Sequence, residues 1–145
     1  MKVQTKATKQ AEIQHLWHLV DVKEQTLGRI ATVIAEKLMG KTKPQFVRNL
    51  DCGDYVVVTN AALIKVTGRK EEQKVYARHS GYPGGFRSET LKELRTRKPE
   101  EIIMHAVKGM LPDNRLRATM LTRLFVFSGS EHPYNEKFVS KGEKK

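Results

Sequence analysis

Gly40-Lys41-Thr42 is the stretch of this sequence that most invites phosphate chemistry. A phosphate loop needs a further glycine five residues before Gly40, a strand ahead of it and a helix behind it, so that backbone N–H groups face the phosphate. Position 35 is Ala35, and the helical pattern precedes the loop and offers its C-terminus. No dinucleotide fingerprint follows either candidate strand. His15 and His18 are three residues apart in an extended segment, which puts them on opposite faces and suits no metal. His79, His105 and His132 are isolated in sequence and read as structural or polyanion-contacting residues. Cys52 is the single cysteine, excludes an intramolecular disulfide framework and reads as a small turn residue. Glu100 and Glu101 are explained by a helix start, and no nucleophile elbow is present. The residues give no positive sign of an enzyme.

The segment His79-Ser80-Gly81-Tyr82-Pro83-Gly84-Gly85-Phe86-Arg87 carries a different chemistry. Three glycines and a proline in nine residues exclude a helix or a central strand. Glycines permit close backbone approach, Tyr82 and Phe86 can stack on bases, and Arg78, His79 and Arg87 can reach phosphates. These are the components of recognition of unpaired or irregular RNA. Arg69, Lys70 and Lys74 lie just upstream, and Lys92, Arg95, Arg97 and Lys98 just downstream. The bland alternative is a surface loop whose aromatic residues pack home.

Something rigid must hold that loop. Asp54 to Asn60 contains the longest β-branched and aromatic run and reads as a strand buried on both faces, as in a parallel sheet. Ligands often bind beyond the carboxyl ends of such strands, but with no phosphate loop present Asn60 instead begins a turn toward Leu63. Leu16 to Val22 reads as the first strand. Leu27, Ile30, Ala31, Ile34, Ala35 and Leu38 form one apolar helical face, with Thr26 as N-cap and Gly40 as stop. This strand–helix–strand order is a crossover unit, right-handed by precedent. Lys74 to Arg78 is a short extended piece. Thr90-Leu91-Lys92-Glu93 is a capping box opening a helix to about Arg97. Pro99 opens the next helix, Asn114 to Thr122 is a third short one, and Leu124 to Phe127 is the last buried strand. The organisation expected is a polar arm over 1–14, one α/β domain over 15–128 and a polar tail over 129–145.

Charge supplies the partner class. Lys and Arg number 27 against 16 Asp and Glu, for a formal net charge of +11 spread along 145 residues. A globular domain this basic meets a polyanion, and nucleic acid leads. No window approaches the ~18–20 apolar residues of a membrane span, and residues 1–8 lack the apolar core of a signal peptide. The chain is expected to be soluble and to stay where it is made.

The ordered motifs resemble one family. Trp17 to Asp21 with Leu27-Gly28-Arg29-Ile30-Ala31, Leu38 to Lys41, Asp51-Cys52-Gly53-Asp54, Asn60-Ala61, Thr67-Gly68-Arg69-Lys70, Lys74-Val75-Tyr76, His79 to Gly85, Gly109 to Asn114 and Glu131-His132-Pro133 resemble the large-subunit ribosomal proteins of the L-thirteen family, in its bacterial form. The likeness runs from about Thr5 to Pro133. It departs at Gln14-His15-Leu16, where the family often has a basic triplet, and after Pro133, where the family usually has a second His.

The resemblance implies a three-layer α/β/α domain on a small, mostly parallel sheet. It implies binding to large-subunit rRNA beside neighbouring ribosomal proteins during early assembly, in the cytoplasm, with no cofactor, metal, membrane or small-molecule substrate and no reaction. The candidate rRNA contacts are Lys41, Lys43, Arg48, Arg69, Lys70, Lys74, Arg78, His79, Ser80, Gly81, Tyr82, Gly84, Gly85, Arg87, Arg95, Lys108, Arg115, Arg117 and His132. Two alternatives stay open on the residues: an enzyme acting on nucleotide or RNA beyond Asn60, and a regulator of an mRNA away from the ribosome.

Overall fold

The computed structural model describes residues 7–139. At its centre lies strand β2 (Tyr55–Thr59), flanked by β1 (Trp17–Asp21) and β5 (Leu124–Val126) in a parallel sheet of order β1-β2-β5. Val56, Val57 and Val58 have no exposed surface. Each contributes roughly 1.5–3 kcal/mol by leaving water. A parallel sheet needs crossovers, and the first is helix α1 (Leu27–Met39), whose buried residues are the six expected from its apolar spacing. Gly40 ends it with φ +74°.

Strand alternation divides the sheet into two faces. Val56, Val58 and Leu124 join Val22, the buried face of α1, and residues of α3 (Leu91–Arg97) and α4 (Pro99–Met110) in one core. The opposite face is aromatic. Trp17 stacks on Tyr55 with centroids 4.4 Å apart and planes at 9°, and on Phe125 at 5.9 Å. Tyr134 and Phe138, beside and within helix α6 (Asn135–Val139), close over Trp17 at 5.3 and 6.3 Å. The result is an α/β domain with helices on either side of a small parallel sheet.

The third element of the fold is an antiparallel hairpin, β3 (Val75–His79) with β4 (Phe86–Thr90), separate from the main sheet. Helix α2 (Lys70–Gln73) leads into it, and α3 follows without a linker, since Thr90 both ends β4 and caps α3. The capping box is complete: Glu93 N–H donates to Thr90 Oγ1 and Thr90 N–H to Glu93 Oε2.

The structure adds detail to three expectations. The polar arm over 1–14 contains a 3-10 turn at Gln10–Glu12, while residues 1–6 lie outside the described residues. The polar tail also contributes Tyr134 and α6 to the aromatic face, since the three polar residues Asn135 to Lys137 separate two rings that lie one helical turn apart; residues 140–145 are outside the described set. Thr26 occupies the N-cap position of α1 without a side-chain cap bond. A backbone bridge replaces it: Leu27 N–H donates to the Lys65 carbonyl and Lys65 N–H to the Gln25 carbonyl, both at 2.9 Å. Asn60 begins the turn toward Leu63 as expected, with φ +63° and its amide donating to Asp21 Oδ1.

Candidate nucleic-acid interface

The hairpin tip is built by its glycines. Gly81 and Gly84 adopt φ of +88° and +73°, and a Cβ on Gly85 would stand 2.0 Å from Ser80 Oγ. Gly85 N–H donates to the Tyr82 carbonyl, Ser80 N–H to the Gly85 carbonyl, and Gly81 N–H to His79 Nδ1. This knot leaves Tyr82 projecting, 77% exposed, with Phe86 at 63%. Neither aromatic residue packs home.

Register puts Arg78 directly opposite Arg87. Like charges so placed repel each other, and neither has an ion-pair partner among the described residues. Glu89 shares their face but is engaged by Arg97 at 2.7 Å. A cleft of about 360 Å³ is lined by Arg78, His79, Ser80, Gly84, Gly85 and Arg87. Six of the expected contacts thus converge on one anion-accepting surface, with Tyr82 at its edge.

Other expected residues sit in two further places. Arg69, Lys70 and Lys74 are exposed around α2, just before β3, and Lys74 Nζ lies 5.2 Å over the Tyr76 ring. Lys41 and Arg48 line a cleft of about 340 Å³ with Pro112 and Asn114, next to exposed Arg115 at the start of α5 (Leu116–Thr122). Lys108 is exposed on α4. Arg117 is held by Asp113 and donates to the Pro112 carbonyl. His132 is half-buried against Phe127 and Phe138.

Lys43 and Arg95 have work inside the fold. Lys43 Nζ, 17% exposed, sits 2.5 Å from Asp54 and donates to the Gln14 and Cys52 carbonyls at 2.6 and 2.8 Å. Arg95 donates to Ile64 and Ala62 carbonyls and pairs with Glu71 at 2.5 Å. Their positive charge gave no sign of this, because the partners are backbone groups and acids remote in sequence. Thr67, Gln73 and His105 line a cavity beside Lys70 and Lys74; of these sequence reasoning passed over Gln73 and gave Thr67 and His105 no shared site. Thr67 and Gln73 are far from His105 in sequence, and the three converge only through folding.

Among the described residues, no three His, Cys, Asp or Glu gather as metal ligands would, and no helix is long and apolar enough to cross a membrane. His15 and His18 both turn to the segment before β2, His15 to the Gly53 carbonyl and His18 to Asp54 at 2.9 Å.

A small parallel α/β domain with a projecting basic hairpin, whose Arg78 and Arg87 have no ion-pair partner among the described residues, has the surface of a scaffold suited to a large anionic partner. A family model described as ribosomal protein L13 matches residues 15–133, and the chain belongs to that family, whose members are structural, non-enzymatic ribosomal proteins. It is 53% identical over 130 residues to a large ribosomal subunit protein uL13 of Dehalococcoides mccartyi, covering 90% of this chain and 91% of that one. It is 54% identical to the uL13 of Prochlorococcus marinus, over 85% and 82% of the two chains, and 52% identical to that of Lawsonia intracellularis, over 91% and 92%.

Proposed function

We propose that this protein is a structural constituent of the cytoplasmic large ribosomal subunit, that it binds large-subunit rRNA, and that it supports early subunit assembly. The observation that carries the rRNA reading is the facing pair Arg78 and Arg87, which no carboxylate neutralises among the described residues. Two arginines at facing hairpin positions gain when phosphate lies between them, because bidentate bonds to phosphate replace mutual repulsion. Tyr82 adds a ring on which a base can stack. Arg69, Lys70 and Lys74 extend the basic track away from the hairpin, and Lys41, Arg48, Lys108 and Arg115 provide cations for other rRNA segments. Such neutralisation lets RNA segments converge, which is the physical task in assembly. His79, Ser80, Gly81, Gly84 and Gly85 form the close-approach surface, while Lys43 and Arg95 support the fold beneath it.

The test is binding to large-subunit rRNA fragments at several salt concentrations. The logarithm of affinity should fall with log salt, by roughly 0.7–0.9 for each phosphate neutralised. Arg78→Ala with Arg87→Ala should lower both affinity and slope and leave the thermal transition in place. A flat salt response overturns the reading.

A further inference from the structure

Beside the basic track lies a cavity of about 620 Å³, within the range of about 300–1,000 Å³ of small-ligand sites. Leu27, Val66, Ala106 and Met110 supply apolar lining, and Gly28 and Gly109 line it without side chains. Thr67, Gln73 and His105 supply hydrogen-bonding groups, and Lys70 and Lys74 stand on the lining toward α2. Lys70 has no acidic partner among the described residues. The His105 ring is itself held by Tyr76, at 5.3 Å between centroids.

We infer that this cavity takes one extruded, unpaired nucleotide of the rRNA, its base against the apolar lining and its phosphate on Lys70 and Lys74; the inference rests on the rRNA-binding reading above. The lining matches that ligand in kind. A base is flat and apolar on its faces but polar on its edges, and this lining offers both apolar side chains and hydrogen-bonding groups. The linking phosphates require cations, which the lysines supply. Continuity with the hairpin selects polymeric RNA over a free nucleotide. Lys74 directly precedes β3, and its carbonyl accepts from Leu91 N–H at the start of α3, directly after β4. An RNA strand crossing Arg78 and Arg87 therefore meets Lys74 and then Lys70 without leaving the protein. The glycines make room, since a Cβ on Gly28 or Gly109 meets nothing within 4 Å.

The experiment uses the full chain and the rRNA fragment that it protects from ribonuclease. Dimethyl sulfate footprinting should find an unpaired nucleotide shielded by the wild-type protein and exposed again with Gly109→Phe, which fills the cavity from α4. Gly28→Phe fills it from α1 and keeps the test intact if the first variant folds poorly. Each should weaken binding about tenfold, the loss of one stacked base, with the salt slope unchanged. Arg78→Ala with Arg87→Ala should instead reduce the slope and leave that nucleotide shielded whenever the complex is saturated. Folded filling variants with wild-type affinity and footprint overturn the cavity site alone. Tight binding of adenosine monophosphate by the free protein, abolished by Gly109→Phe, would make the cavity a free-nucleotide site and overturn the extruded-nucleotide assignment. A wild-type chain that protects no rRNA overturns the proposed function, and this inference with it.

Discussion

Lys43 Nζ and the Asp54 carboxylate meet at 2.5 Å beneath the sheet's N-terminal edge, with Asp54 only 4% exposed. The same carboxylate accepts from Leu16 N–H at 2.7 Å and from His18 Nε2 at 2.9 Å. One acid therefore ties the loop after α1, the start of β1 and the start of β2.

This predicts an acid-sensitive step. Burial pushes the Asp54 carboxyl upward, but Leu16 N–H, Lys43 and His18 outweigh it and bring its pKa below the ordinary value. A lowered folded-state pKa contributes stability in full above the unfolded value of about 4, and that stability is lost as pH falls through the lowered value. Asp54→Asn should cost about 3 kcal/mol at neutral pH by leaving Lys43 buried without its counter-charge. It should also flatten the fall in stability below pH 4, read by urea unfolding. Parallel curves for the two proteins would falsify this role.

Gly53 predicts a sharp steric limit. A Cβ there would lie 1.7 Å from the Leu38 carbonyl oxygen and 2.8 Å from Arg123, which is engaged with Asp51. Because the first clash is with backbone, Gly53→Ala should cost more than about 3 kcal/mol. Gly109→Ala, in open space at the end of α4, should instead stabilise by about 0.5 kcal/mol. Thermal melts of the two variants should move in opposite directions.

Arg95 and Arg78 should separate stability from binding. Arg95→Ala strands the Ile64 and Ala62 carbonyls and Glu71, and should cost about 1–3 kcal/mol. Arg78→Ala removes one of two facing like charges and should not lower the melting temperature, while it weakens rRNA binding. An Arg95 variant as stable as the wild type contradicts the clamp.

The aromatic face predicts an optical signal. Trp17 is the only tryptophan of the chain and its ring meets those of Tyr55 and Tyr134. Tyr134→Ala should remove about 1–2 kcal/mol and shift Trp17 emission to the red as water reaches the ring. Unchanged emission would mean that the 134–138 segment does not cover the tryptophan in solution.

The sequence made the buried elements legible. β1, α1, β2, α4 and β5 announce themselves because burial demands apolar residues at fixed periods, and the Thr90 capping box is a local chemical pattern. β4 escaped because Phe86-Arg87-Ser88-Glu89-Thr90 is exposed over its first three residues and carries no burial pattern. α2, four residues long and without buried side chains, escaped for the same reason. Of the candidate site, the hairpin loop and its cations were visible as composition. The facing of Arg78 and Arg87 was not, since register depends on the unseen strand. Nor was the internal duty of Lys43 and Arg95, whose acidic partners Asp54 and Glu71 come close only in the folded chain.

The strand order β1-β2-β5 also carries a timetable. β2 ends at Thr59, yet its second neighbour begins at Leu124. During synthesis β1, α1 and β2 emerge first, and the basic hairpin follows while β2 still has one bare edge. Parallel pairing across so long a loop is slow to form, and an unpaired central strand is an aggregation hazard. The nascent chain thus exposes its polyanion-seeking hairpin before its sheet can close. Chains ending before Leu124 should accordingly be far more protease-sensitive at β2 than chains ending after α6, a difference that pulse proteolysis measures.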